Sequence, residues 1–283
     1  MTVESKMTSP QIPITYIKPT QGWRFLNLKE LWKYRELIYF LTWRDIRIRY
    51  KQTALGAAWA IIQPFFTMVV FSLFFGKLAG MPSDGVPYPI FAYSALVPWT
   101  YFATTLIQST NSLVAQEHII TKVYFPRIIL PLSSVLGGLI DFIIAFTVLI
   151  GMMFFYRIYP TSAIWIIPLF VILSMVTAFG VGLWLSALNV RYRDVRYTMG
   201  FLVQIWLFAT PIAYPITIVP EQYRALYGLN PMVGVVEGFR RALLGQGTIW
   251  GPSLAVSIIM MVLILIGGIF YFRKMEQTFA DVV

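Results

Sequence analysis

The chain has 283 residues, of which 58% are hydrophobic and only 12% are charged, and its net charge is +10. Soluble domains carry about 25% charged residues, so this composition predicts an integral membrane protein. Cysteine is absent and His118 is the one histidine, which excludes disulfides and thiolate metal sites and argues against a multi-histidine metal site.

The N-terminal 54 residues are predicted to lie outside the membrane. Residues 1–27 are polar and contain prolines, so we expect a mobile tail without a cleavable signal peptide. Asn27 and Glu30 resemble a capping box. Apolar residues then recur at helical spacing: Leu31, Tyr34, Ile38 and Leu41. They predict an amphipathic helix over 28–42 that lies on the membrane surface or packs on the cytoplasmic face of the protein itself.

A basic segment follows this helix and leads into the first long apolar run. Its cationic residues are Arg44, Arg47, Arg49 and Lys51. Such a cluster attracts anionic head groups at about 1 kcal/mol per residue, or it simply anchors the topology. Apolar and basic residues alternate here as they would in a strand, but a helix is predicted because the segment runs directly into a membrane helix.

Six long runs with few or no charges predict six transmembrane helices, because a spanning helix needs about 20 apolar residues. Their cores are 55–76, 92–114, 131–155, 163–187, 198–218 and 251–272. Of the 22 Lys and Arg residues, 17 fall on the side of the termini, so both termini are predicted to be cytoplasmic. Asp141 is the one acid within these spans and follows Gly137 and Gly138. We expect a hydrogen bond between helices there, rather than a proton relay.

Polar and aromatic side chains share faces on three of these spans. The second span carries a stripe of Tyr101, Thr104, Thr105, Gln108, Asn111 and Ser112; the first carries Trp59, Gln63, Phe66 and Thr67, and the fifth Gln204, Phe208 and Pro211. In lipid, polar side chains turn toward other helices or a wet cavity. Aromatic rings and amides together suit sugar rings. Helix–helix contacts and ordinary interfacial aromatic residues remain the alternative.

Two connections between spans also carry a pattern. In the second-to-third connection, residues 117–122 are predicted to form a short helix that ends before Pro126, and it is either a docking projection or an ordinary loop. In the fifth-to-sixth connection, Asn230 as N-cap and Pro231 at the first helical position predict a helix start. Two short helices that dip back into the outer leaflet would cap or line a passage; simple interfacial helices are the alternative.

Sequence motifs for chemistry are missing from the chain. It has no G-x-x-x-x-G-K-[ST] phosphate loop, no H-E-x-x-H, no nucleophile elbow and no paired carboxylates. We therefore expect neither an ATP site nor an enzymatic step on this chain.

Five stretches in this order resemble the membrane subunit of ABC-2 type exporters for bacterial cell-surface polysaccharides. They are WRDIRIRYKQTALGAAWAIIQP at 43–64, KVYFPRIILP at 122–131, LNVRYRDVRY at 188–197, ATPIAYP at 209–215 and LNPMVGVVEGFRRALLG at 229–245. The likeness covers nearly the whole chain from residue 25. The O-antigen exporters are the most similar branch, and capsule and teichoic-acid exporters belong to the same group.

This resemblance implies a half-transporter in the bacterial inner membrane. A second copy of the chain would complete the channel, and two separate ABC ATPase subunits would hold ATP and Mg, with no cofactor on this chain. The substrate would be a polysaccharide on a polyprenyl pyrophosphate, and membrane lipids but no nucleic acid would be partners. Residues 1–27 would form the tail, 28–54 the interface helix and basic segment, and 55–283 a single six-helix domain.

The resemblance also implies roles for individual residues. A coupling helix at about 116–127 would contact the ATPase through Glu117, His118, Lys122, Tyr124 and Arg127, and the interface helix at 28–42 would contact it too. Gate helices on the periplasmic side at about 221–244 would include Tyr223, Tyr227, Asn230, Pro231 and Phe239. The lipid head group would enter past Arg44, Arg47 and Arg49. The channel would be lined by Trp59, Gln63, Phe66, Tyr101, Thr104, Gln108, Asn111, Gln204 and Phe208.

Two other functions stay open on the sequence alone. One is an ABC-2 permease for a drug or small lipid, whose channel width and aromatic lining would differ. The other is a non-ABC membrane enzyme or scaffold, which should cluster acids or histidines at one membrane face, and the sequence has no such cluster.

Overall fold

The computed structural model describes residues 28–51, 56–245, 249–276 and 279, and in these residues the regular structure is helical throughout. The predicted tail at 1–27 and the Asn27 cap lie outside the described residues. The helices in chain order are α1 Leu28–Lys33, α2 Arg35–Lys51, α3 Trp59–Phe71 with π-helical turns at Ser72–Leu78, α4 Tyr88–Asn111, α5 Glu117–Ile120, α6 Ile129–Gly137, α7 Leu139–Phe155, α8 Ile167–Arg191, α9 Val195–Phe208, α10 Glu221–Tyr227, α11 Pro231–Leu244 and α12 Pro252–Glu276.

Within the described residues, five helical stretches are long and apolar enough to cross a membrane. They are Trp59–Leu78, Tyr88–Asn111, Ile129–Phe155, Ser162–Arg191 and Pro252–Glu276. These stretches coincide with the first four predicted spans and with the sixth. The chain is therefore a multi-pass helical membrane protein.

The fifth predicted span, 198–218, is not one continuous helix. α9 has 14 residues, or about 21 Å at 1.5 Å per residue, whereas the apolar core of a bilayer is about 30 Å thick. The chain leaves helical geometry after Phe208 and stays irregular through Pro215. Pro211 and Pro215 lack the N–H group that a continuing helix would need, which explains where α9 ends.

The central element is α4, whose side chains are buried along most of its length. It contacts α3, α6, α7, α8, α9 and α11. α6 meets α7 at Gly138, and a Cβ placed there would overlap the methyl group of Thr105 and lie 3.2 Å from the Tyr101 ring. The absence of a Cβ at Gly138 therefore lets α4 approach the junction of α6 and α7 closely.

A second apolar cluster joins the two ends of the described chain, and we call it the basal cluster. Its buried members are Leu41, Leu113, Ile120, Phe125, Ile128, Ile129, Leu130, Leu183, Ala187, Val190, Ile269, Phe272 and Phe279. Leu31, Tyr34 and Ile38 pack against it, while Trp32, Tyr39 and Phe40 are exposed on the other side. The amphipathic helix therefore packs on the protein itself and also presents an aromatic surface outward.

The helix that was predicted over 28–42 is longer than expected. α1 and α2 follow each other with only Tyr34 between them, and α2 continues to Lys51. The helical prediction for the alternating basic segment is confirmed.

Candidate functional site

An ion pair connects the basic segment to the middle of the membrane domain. Arg49 Nη1 and the Tyr50 hydroxyl both donate to the Asp141 carboxylate. The second Arg49 nitrogen, Nη2, donates to Gln108 Oε1 at 2.5 Å. The predicted hydrogen bond of Asp141 between helices is confirmed, and it links α2, α4 and α7.

The other two arginines of the basic segment lie differently. Arg44 donates to the adjacent Asp45 at 2.8 Å. Arg47 is exposed, and its guanidinium carbon lies 5.4 Å from the centre of the Trp43 ring. The three arginines predicted at lipid entry therefore differ in position, since Arg47 lies on the surface and Arg49 points into the protein.

The predicted polar stripe on α4 is only partly accessible. Tyr101 is 2% exposed, and its hydroxyl donates to the Val135 carbonyl at 3.0 Å. Tyr101 therefore belongs to the packed interior, as the helix-contact alternative predicts, and does not lie at a channel wall in this structure. Thr104, Gln108 and Asn111 are half-buried, and Asn111 Oδ1 accepts a hydrogen bond from Asn189 Nδ2 at 3.3 Å.

The exposed sides of α3 and α9 carry the remaining predicted channel residues. These are Trp59, Gln63, Phe66, Gln204 and Phe208, and all five are exposed. The two helices meet where the rings of Phe71 and Phe208 lie 6.4 Å apart. We call this set of five residues the α3–α9 surface. Its mixture of aromatic rings and amides lies outside the protomer core and is available to a second molecule.

The second-to-third connection forms a projection with an exposed tip. α5 is a single helical turn, shorter than the predicted 117–122. His118, Lys122 and Tyr124 are exposed and Glu117 is half-buried. Arg127 is different, because its backbone N–H donates to Glu276 Oε1 at 3.0 Å. Of the five predicted coupling residues, Arg127 is thus held against the end of α12.

The helix start predicted at Asn230 and Pro231 is confirmed. Asn230 Oδ1 accepts from the backbone N–H of Met232 at 3.0 Å and from Trp206 Nε1 at 2.8 Å, so the cap of α11 is tied to α9. Of the other predicted gate residues, Tyr223 is exposed, whereas the Tyr227 hydroxyl bonds to that of Tyr214. Phe239 is buried.

α11 also holds a buried ion pair between Glu237 and Arg240, which the sequence analysis did not identify. Arg240 is 2% exposed and donates to Glu237 Oε1 at 2.8 Å. Its Nη2 donates to the carbonyls of Pro211 and Ile212 at 3.0 and 3.1 Å. Burial raises the pKa of the Glu237 carboxyl, and Arg240 and Arg241 oppose that rise. The guanidinium thus satisfies carbonyls that the irregular chain after α9 cannot satisfy itself.

The sequence offered one signal for this pair, which is a glutamate three residues before the first of two adjacent arginines, Arg240 and Arg241, in a helix whose other residues carry no charge. Buried charges in proteins are almost always paired. The partner carbonyls at Pro211 and Ile212 could not be foreseen, because they lie 29 and 28 residues from Arg240 along the chain.

Comparison with known proteins gives a consistent family. The profile described as ABC-2 type transporter matches residues 36–244. An O-antigen export system permease protein RfbA of Klebsiella pneumoniae is 28% identical over 250 residues, which is 88% of this chain and 95% of the relative. RfbA of Myxococcus xanthus is 30% identical over 215 residues, covering 75% of this chain and 82% of the relative. The polysialic acid transport protein KpsM of Escherichia coli is 23% identical over 242 residues, with coverage of 83% and 91%.

Proposed function

The chain belongs to the ABC-2 type transporter family, and we propose that it is the transmembrane subunit of an ATP-driven exporter of lipid-linked polysaccharide. The substrate we propose is an O-antigen, carried on a polyprenyl pyrophosphate from the cytoplasm to the periplasm. The observation that carries this proposal is similarity over 95% of the length of an O-antigen export permease. The α3–α9 surface adds a chemical argument, because binding sites combine aromatic walls with a few placed polar groups.

ATP hydrolysis would take place on a separate ABC ATPase, because this sequence has no phosphate loop. The exposed tip of the α5 projection offers a compact surface for that partner. We assign the contact to Glu117, His118, Lys122 and Tyr124. Arg127 would support these residues without contacting the ATPase itself, since its backbone N–H donates to Glu276.

The conduit would form between two copies of the chain. The α3–α9 surface would face the second copy and line the passage, because its rings can stack on the C–H faces of sugars and its amides can bond to hydroxyls. Thr104, Gln108 and Asn111 are half-buried and would contribute where the protomers open. In this arrangement α9 and the irregular segment after it would form the fifth of six crossings, and both termini would be cytoplasmic.

The lipid head group and the gate would lie at opposite ends of this passage. A pyrophosphate head at the cytoplasmic surface would meet Arg44 and Arg47 first, since arginine binds phosphate oxygens with two parallel hydrogen bonds. On the periplasmic side α10 and α11 would form the gate. The irregular backbone between α9 and α10 fits this role, because such backbone is tolerated at membrane depth only against protein or water.

A capsule polysaccharide is the second candidate substrate. The observation that favours it is the similarity to KpsM, whose name gives polysialic acid transport as its role. The identity to KpsM is lower than that to either RfbA relative, so O-antigen stands first.

Deletion of the coding sequence in the native cell tests the proposed function. We expect surface polysaccharide to disappear while polymer on polyprenyl lipid accumulates on the cytoplasmic side, and the restored chain should reverse both changes. Unchanged surface polysaccharide, or loss without internal accumulation, would contradict the proposal.

A further inference from the structure

The end of α12 binds the segment that leads from the α5 projection back to α6. We call this segment, residues 125–128, the return arm. The backbone N–H of Arg127 donates to Glu276 Oε1 at 3.0 Å, and Arg127 Nη1 donates to the backbone carbonyl of Glu276. The same guanidinium lies 5.9 Å from the centre of the Phe279 ring. Three contacts therefore hold one residue of the projection to the last residues of the described chain.

These contacts of Arg127 lie next to the buried side chains of the basal cluster. Phe279 is fully buried, and its ring packs edge-on against Phe272 at 5.3 Å. Phe125, two residues before Arg127, is buried in the same cluster. Residues 122–124, in contrast, are exposed. A force applied to the exposed tip would therefore pass into α12 through the return arm.

The other end of α12 is bonded to the start of α11. Ser257 is fully buried. Its hydroxyl accepts from the Gly234 N–H at 3.1 Å and lies 3.1 Å from the Gly228 carbonyl, to which it donates. A Cβ on Gly234 would come within 2.6 Å of Ser257 Cβ, so the Ser257 side chain of α12 packs directly against the backbone of α11 here.

Between these two contacts α12 is a continuous helix supported by α8. Ser257 and Glu276 are separated by roughly 28 Å, at 1.5 Å per residue. Along this length Trp184 Nε1 donates to the Ile264 carbonyl at 3.1 Å, and its ring stacks on Tyr271 at 4.8 Å. Coupling between distant sites travels through packed rigid elements of this kind.

We infer that α12 is the element that transmits motion from the α5 projection to the α10–α11 gate, and that Glu276 is the residue that positions the projection on it. This inference rests on the proposed function, because a partner ATPase is the source of the motion. Glu276 acts through Arg127 and contacts neither the substrate nor the ATPase.

The test uses the complex of the full chain with its co-purified ATPase. The native chain has no cysteine, so Gln222→Cys on α10 carries a single spin label per copy, and the dipolar distance between copies reports the gate. We expect MgATP to shift this distance in the parent complex. Glu276→Ala should abolish the shift while ATP hydrolysis and subunit ratio are retained.

Matched variants separate positioning from general damage. Glu276→Gln keeps an acceptor oxygen for the Arg127 N–H and should keep the shift, as should Lys274→Gln at an exposed neighbouring site. Ser257→Ala removes the hydrogen bonds between α12 and the start of α11, and it should abolish the shift as Glu276→Ala does. If Glu276→Ala does not insert into the membrane, Ser257→Ala tests the inference in its place.

The outcomes distinguish this inference from the proposed function. If no ATPase co-purifies with the parent chain, or if MgATP does not change the distance between its spin labels, the proposed function is wrong and so is the inference. If the parent responds and both Glu276→Ala and Ser257→Ala respond equally, the inference alone is overturned.

Discussion

The Asp141 carboxylate shows how much a single residue contributes when its contacts join different helices. It accepts from Arg49 and Tyr50 of α2, although it lies in α7. Asp45 also pairs with an arginine, but its partner Arg44 is the preceding residue of the same helix. Both aspartates therefore pair with an arginine, but only Asp141 connects two different helices.

We predict that Asp141→Asn lowers the thermal unfolding midpoint of the purified protein well below that of Asp45→Asn. Hydrogen bonds to charged groups contribute about 1.5–3 kcal/mol each, and Asp141 accepts two of them from a different helix, whereas the Arg44–Asp45 bond joins adjacent residues of one helix. The measurement is the midpoint in detergent at equal protein amounts. Equal midpoints for the two variants would show that the contact between α2 and α7 carries no stability.

Single residues also show where sequence reasoning succeeds and where it stops. The Asn230 cap was predictable, because capping depends on neighbours within three positions. The hydrogen bond of Asp141 was predictable in kind, because a carboxylate in a span needs a partner. The Arg127–Glu276 contact was not, because the two residues are 149 positions apart and no local pattern relates them.

At the scale of elements, the irregular segment after α9 depends on Arg240 of α11. The guanidinium bonds two carbonyls of that segment and the Glu237 carboxylate. Removing one partner of a buried pair costs about 3–5 kcal/mol, and Arg241, whose Nε lies 3.4 Å from Glu237 Oε2, compensates part of that charge here.

We therefore predict that Arg240→Met strongly lowers the thermal unfolding midpoint. Adding Glu237→Gln should recover part of the loss, because the buried charge is then removed, and the double-mutant cycle measures the coupling. The carbonyls of Pro211 and Ile212 stay unpaired in both variants, so full recovery is not expected. A double variant no more stable than Arg240→Met would contradict the pairing.

The α5 projection supports a prediction about partner binding. Glu117→Ala combined with His118→Ala should weaken co-purification of the ATPase and reduce export, because both residues lie on the one-turn helix that the partner would grip. Insertion into the membrane should persist, since neither side chain is buried. Recovery of the ATPase at the parent yield, with normal export, would remove this element from the docking surface.

Hydropathy predicted the long membrane helices well, with one exception. Five of the six predicted spans coincide with span-length helices, since burial in lipid demands long apolar runs. The fifth predicted span, 198–218, is not one continuous helix, because Pro211 and Pro215 cannot donate the hydrogen bonds that would extend α9. A count of apolar residues contains no information about where a proline interrupts the helix.

At the scale of the whole molecule, the protomer exposes two kinds of apolar surface. The α3–α9 surface mixes rings with Gln63 and Gln204, whereas Ile143 of α7 and Ile259 of α12 are exposed on helix faces whose neighbouring side chains carry neither a charge nor an amide. In the proposed dimer the first surface meets water and sugar, and the second meets lipid.

We predict that Gln63→Cys and Gln204→Cys react with water-soluble thiol reagents in intact membranes, and that Ile143→Cys and Ile259→Cys do not. All four sites are exposed in the protomer, so the comparison is matched for access, and the chain has no native cysteine to interfere. Labelling that is equally slow at all four sites in every nucleotide state would place the α3–α9 surface in lipid and not in a conduit.

The central claim is that this chain, driven by a separate ATPase, moves lipid-linked polysaccharide across the membrane. The most direct measurement uses inside-out vesicles that contain both subunits and carry polyprenyl-linked polymer on their outer, cytoplasmic face. A polysaccharide-degrading enzyme added outside reports how much polymer is still accessible. We predict that MgATP makes the polymer resistant, and that ADP or omission of either subunit leaves it accessible. Polymer that stays accessible with MgATP, or that becomes resistant without the ATPase, would contradict the account.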